Sequence, residues 1–183
     1  MHPWTKELLV HLGASRAQLL AAVESLPEAR WGLAPSAGRW SIANVFSHLA
    51  RTEGQIGALL ERKLRGAIAA GGVAELGSDL PSIVASFDSA LVMDRRQQIR
   101  APDFASPDLS MTAAEALSAL TRARQRLGDV VLAADGKDLR HARQPHFLLG
   151  ELDFYQWVAF AGFHELRHVG QAREISAALI GSE

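Results

Sequence analysis

The chain has 183 residues, 48% of them hydrophobic and 21% charged, with a net charge of −1 and no cysteine. This suits one soluble domain over residues 1–183 with a proper core. It excludes disulfides, thiolate ligands, iron–sulfur clusters and a cysteine nucleophile, and gives no broad basic surface for nucleic acid.

In chain order, apolar spacing predicts a first helix from about Trp4 to Leu26, with Leu8, Leu12, Leu19 and Val23 inward, ended by Pro27. A Gly- and Pro-rich loop through Trp31, Pro35 and Gly38 follows. Ser41 is a good N-cap for a second helix carrying Ile42, Val45, Phe46, Leu49, Ile56 and Leu60 and fading at Gly66. The stretch from Gly66 to Ser110 is too long for a structureless loop, and Ile83, Val84, Phe87 and Leu91 predict a short helix over Pro81 to Gln98. Thr112 and Glu115 form a capping-box pair opening a third helix to about Ala134. Arg122, Arg124 and Arg126 read as a solvated face of that helix. After a turn region, Asp153 with Gln156 opens a fourth helix. No segment alternates enough to read as a strand. The expected fold is all-α: a four-helix bundle with a long crossover between helices 2 and 3 carrying a short extra helix.

The chemistry concentrates in the fourth helix. His164 and His168 are four residues apart, so their imidazoles stack on one helix face, where they can grip one metal ion. Phe154, Val158, Ala161, His168, Ala172, Ile175 and Leu179 form the inward stripe, with His164, Trp157 and Gln171 at its edge. Buried imidazoles need partners, and a cation supplies them. A usable site needs a third ligand. His48 is the best candidate, about two turns into the second helix beside its apolar stripe. His146 either covers the mouth of the site or is solvated, and His2, His11 and His141 read as surface residues. The string His164-Glu165-Leu166-Arg167-His168 formally matches the HExxH helix of zinc peptidases. Gln171 and Glu174 stand where the extended peptidase pattern needs Gly and a third His, and no upstream strand is expected to seat a peptide.

Taken together, Trp40-Ser41-Ile42-Ala43 with His48-Leu49-Ala50 and Glu53, then Ile99-Arg100-Ala101-Pro102, Pro107, Leu120 and Arg124, and finally His146, Gly150, Leu152, Trp157, Phe160, His164, Arg167, His168 and Gln171, resemble the DinB-like superfamily of four-helix-bundle metal proteins. The likeness spans most of the chain, and its last-helix motif has the form HxxxHxxQ. One departure is the order Pro145-His146, where relatives often read His-Pro. The resemblance implies a divalent metal held by His48, His164 and His168, and often a homodimer. Some relatives are transferases using a bacterial thiol such as bacillithiol or mycothiol; others are mycothiol-dependent isomerases.

Three neutral imidazoles leave the charge of a divalent ion uncompensated and positions open for water or thiol. The expected activity is therefore metal-dependent attack of a small thiol on an electrophilic small molecule. The alternatives are a non-enzymatic metal-dependent binding or stress-response protein and a metal-hydroxide hydrolase. Zinc or nickel is expected, with iron or manganese also accepting imidazole. Gln171 is a candidate to hold a water or a ligand's polar group, and Glu53 and Glu165 are candidates to orient an imidazole N–H. Trp40 and Trp157 read as core anchors. The first residues lack a basic-then-apolar signal pattern, and no apolar run approaches membrane-spanning length. The expected setting is the cytoplasm, with neither nucleic acid nor membrane as partner.

Overall fold

The computed structural model describes residues 1–96 and 102–181. Four long helices form the bundle: α1 (Pro3–Ala21), α2 (Ile42–Ala69), α5 (Ala113–Ala133) and α6 (Phe154–Ile180). Two single-turn helices, α3 (Ile83–Ser86) and α4 (Ala90–Met93), lie in the crossover. The predicted short helix is thus split in two, with Phe87 extended between the halves. Residues 97–101, which include Gln98 and the Ile99-Arg100-Ala101 motif, lie outside the described residues.

Local chemistry sets the helix boundaries. Pro3 stands in the first turn of α1, where its missing N–H costs nothing. Capping boxes open α2 (Ser41 with Asn44), α5 (Thr112 with Glu115) and α6 (Asp153 with Gln156). Each satisfies two backbone donors that a helix start leaves unpaired. Gly71 and Gly72, with φ of 115° and 101°, take the backbone out of α2. α1 ends at Ala21, earlier than its apolar spacing predicts. Tight turns continue it, in which Val23 N–H bonds the Leu20 carbonyl and Leu26 N–H the Val23 carbonyl. Val23 and Leu26 nevertheless stay buried.

One expectation fails outright. Gln144–His146 (β1) and Gly150–Leu152 (β2) pair as an antiparallel hairpin, with His146 opposite Gly150. Three-residue strands are too short for alternation to be legible, and Pro145 argues against a strand unless it sits at an edge. This two-stranded ribbon has nothing but edges.

In the bundle, α2 packs chiefly against α5 and α1 against α6, while α2 also meets α6. The core falls into two apolar layers. One is built around Leu8, Leu12, Ile56, Leu60, Leu127 and Val158. The other gathers Leu19, Phe46, Leu49, Leu120, Val169 and Ile175. Between them each long helix contributes one charged side chain: Arg16, Glu53, Arg124 and Glu165. Arg124 donates to Glu53 at 2.6 and 3.0 Å and to Glu165 at 2.7 Å. Arg16 donates to Glu165 at 2.6 Å and to Glu53 at 3.2 Å. Ser15 adds a hydroxyl donor to Glu165 at 2.5 Å. Both carboxylates are essentially sealed from solvent, at 1% and 0% side-chain exposure. Arg124 therefore departs from the solvated face expected of it, whereas Arg122 and Arg126 are exposed.

The α1–α6 contact is close at Gly162. A Cβ there would lie 2.2 Å from the His11 ring, whose Nε2–H donates to the Ala159 carbonyl at 3.1 Å. His11 is thus a half-buried packing residue, correcting the expectation of a surface histidine. Gly162→Ala is expected to cost about 1–3 kcal/mol by overpacking. Arg124→Ala, which leaves two buried carboxylates short of a partner, should cost about 3–5 kcal/mol. Urea unfolding of the two variants beside wild type measures both.

Candidate metal centre

His48 comes from α2, and His164 and His168 from successive turns of α6. The α2–α6 packing brings their rings together. The Nε2 atom of His164 lies 3.2 Å from that of His48 and 3.3 Å from that of His168. A tetrahedral site with metal–nitrogen bonds of ordinary length has a nitrogen–nitrogen edge of about 3.3 Å. His48 and His168 are buried, and His164 is part-exposed.

The outer nitrogens fix which inner nitrogens carry lone pairs. His48 Nδ1 lies 2.6 Å from the Ala105 carbonyl oxygen, which can only accept. Its Nδ1 therefore holds the proton, and its Nε2 presents a lone pair. His168 Nδ1 lies 2.7 Å from Gln171 Oε1, which imposes the same tautomer. Two lone pairs thus face the single Nε2 of His164, which has at most one proton to give. Neutral imidazoles cannot satisfy this cluster by themselves, but a cation at their focus can. The donor set fits a divalent metal ion held by His48, His164 and His168.

Burial lowers all three imidazole pKa values, with the neighbouring rings adding to the effect at His164 and His168; that of His168 falls to about 3. The rings are neutral at neutral pH, as metal ligands must be.

The supporting contacts differ from those expected. Glu53 and Glu165 point into the charged layer, bonded to Arg16, Arg124 and Ser15, and orient no imidazole. Their place is taken by the Ala105 carbonyl, delivered by a 3-10 turn (Asp103–Ala105) packed on α2. No side-chain pattern announces a backbone carbonyl. Gln171 spends its amide oxygen on His168 from behind, away from the open side. Trp40 packs at ring-centroid distances of 5.1 Å from His48 and, nearly parallel, 6.2 Å from His168. Phe160 stacks on His164 at 5.4 Å. His2 is half-buried and His141 exposed.

The histidines open on a cavity of about 440 Å³, within the usual range for small-molecule sites. Trp40, Trp157, Phe160, Phe147 and Leu59 give it an apolar wall, so the two tryptophans serve as cavity wall as well as anchors. The hairpin closes one side. His146 is buried there, against Trp157 and Phe160 at 5.1 and 4.5 Å, and burial lowers its pKa to about 4.

A family model described as the DinB superfamily matches residues 11–172. The chain belongs to the DinB superfamily. The all-α fold implied by the motifs is the one observed, and the buried three-histidine group fits a metal-binding DinB-like protein. A Bacillus subtilis (strain 168) protein named Uncharacterized protein YuaE is 25% identical over 162 residues, covering 88% of this chain and 92% of that protein. No solved structure matches.

Two outcomes follow for this DinB-like centre. Gln171→Leu frees the His168 ring and is expected to weaken metal affinity about 10- to 100-fold, read by competition with a chelating dye. In the metal-free protein the unfolded chain takes up histidine protons near pH 6.5, whereas the folded rings refuse them. Stability is then full above pH 6.5 and falls as the pH drops toward 4. His146 alone contributes up to about 3 kcal/mol of that loss. Urea unfolding between pH 7 and 4 should show the decline, and His146→Gln should flatten it.

Proposed function

We propose that this DinB-like protein is a metal-dependent transferase that joins a small thiol to an electrophilic small molecule at the three-histidine centre. The carrying observation is the cavity: three imidazole nitrogens converge at the wall of a space that can hold a substrate. A purely structural zinc site normally closes with four protein ligands, and the histidine group comprises three among the described residues.

When bound, a divalent ion supplies Lewis acidity that favours the ionised form of a thiol or water beside it. His48, His164 and His168 would hold the ion, and their neutrality leaves its charge available to an incoming anion. The Ala105 carbonyl and Gln171 keep two of the rings in the tautomer that ligation requires. Trp40, Phe160 and Trp157 give the electrophile an apolar surface and exclude water around it. In the transfer, sulfur forms a bond to the electrophilic carbon and the leaving group departs with its bonding pair. The thiol proton passes to solvent. Zinc or nickel is the preferred ion, and bacillithiol or mycothiol the preferred kind of thiol. The same reading takes the protein to be cytoplasmic and, as the family resemblance implies, a homodimer; light scattering tests the oligomer.

The test incubates zinc- or nickel-loaded protein with a low-molecular-weight thiol and a chlorodinitroarene, following thioether formation. Conjugation above the background of the chelated protein, and its loss in His168→Ala, is the expected result. Faster hydrolysis of a nitrophenyl ester under the same conditions would favour a metal-hydroxide hydrolase. Inertness toward both would leave a metal-dependent binding protein.

A further inference from the structure

The cavity beside the histidine cluster has a charge of one sign. Its described lining includes two arginines, Arg62 and Arg167, and no Asp or Glu. The two arginines differ in what they do. Arg167 donates to the carbonyls of Val92 and Asp94, at 3.0 and 2.6 Å, and so holds the crossover against α6. Arg62 is exposed at the rim and donates to the carbonyl of Ala58, one turn back on its own helix, at 3.3 Å. Among the described residues no carboxylate pairs with it.

His146 supplies a second element. Its Nδ1 accepts from the backbone N–H groups of Leu148 and Leu149, at 3.1 and 3.2 Å. An atom that accepts two N–H bonds carries no proton, so the neutral ring bears its proton on Nε2. The hairpin loop thereby fixes the tautomer with backbone donors. His146 lines the cavity, so the ring offers an N–H donor there rather than a base or a fourth metal ligand. Neutral imidazole used as a hydrogen-bond donor to a substrate oxygen is an established catalytic device.

We propose that the cavity is a site for an organic anion: a small molecule with a carboxylate and a flat apolar body, its oxygen accepting from His146 Nε2–H and its charge balanced by Arg62. Trp40, Trp157 and Phe160 receive the apolar body. This rests on the cavity being the substrate site of the proposed transferase, and it makes one of the two reactants a carboxylate.

The test measures binding of phenylacetate and of phenylacetamide to the metal-loaded protein by titration calorimetry. Wild type should prefer the carboxylate by at least about tenfold, the usual worth of a charge-assisted hydrogen bond. Arg62→Gln should erase most of that preference. His146→Phe should weaken phenylacetate about tenfold, and His146→Gln, which keeps an N–H donor, should retain more of the affinity. Nitrogen-15 spectra of the imidazoles should show the His146 proton on Nε2. Equal binding of acid and amide by wild type overturns the proposal. So does a preference that survives both Arg62→Gln and His146→Phe, because the metal alone would then hold the anion. A proton on Nδ1 of His146 overturns it as well. Thiol conjugation with neutral electrophiles is scored separately, so its success or failure bears on the transferase and not on the anion site.

Discussion

Three imidazoles from two helices can meet only if those helices share one register, and in this protein the charged layer sets it. Arg16, Glu53, Arg124 and Glu165 form a neutral set of two cations and two anions, one from each helix, sealed between apolar layers. Buried ion pairs add little net stability over apolar replacements, but leaving one member unpaired is costly. Sliding α6 by one turn would drive Glu165 into an apolar layer and leave both arginines to share Glu53 alone. The histidines stand beside this layer on the same helices: His164 adjoins Glu165, and His48 precedes Glu53 by five residues. The register that satisfies the charges is the register in which the three Nε2 atoms converge.

The crossover and the hairpin complete the centre from outside the bundle. The crossover is pinned at several points. Trp4 Nε1–H bonds the Pro81 carbonyl at 2.7 Å, Glu7 accepts from the backbone of Ile83 and Val84, and Arg167 holds Val92 and Asp94. Further along, it delivers the Ala105 carbonyl to His48. The hairpin delivers His146 and Phe147 to the cavity wall. Four helices provide a rigid frame, and the irregular segments give the pocket its particular chemistry. That division is common where function is grafted onto a shared fold.

Much of this was legible in the sequence. Repeating apolar positions and three capping pairs located the long helices, because both signals are local. The i, i+4 histidines and the position of His48 on α2 were legible for the same reason. The buried role of Arg124 was also written in the pattern, since it falls in the inward series Leu117, Leu120, Arg124, Leu127, Val131. The charges of Arg122 and Arg126 on either side mask that period. Glu53, between Leu49 and Ile56, carried the same signal. What was not legible is non-local: a backbone carbonyl meeting a ring 57 residues earlier, a hairpin too short to alternate, and His11 held by the missing side chain of Gly162.

The central claim is that His48, His164 and His168 hold one divalent ion and leave part of its coordination free. X-ray absorption at the metal edge, on zinc- or nickel-loaded wild type beside His48→Ala and His164→Ala, tests it most directly. Wild type should bind one ion per chain with three imidazole nitrogens at about 2.0–2.1 Å and the remaining scatter from light solvent atoms, and each variant should lose the ion. Full occupancy in both variants, or a fourth protein ligand closing the site, would contradict the account.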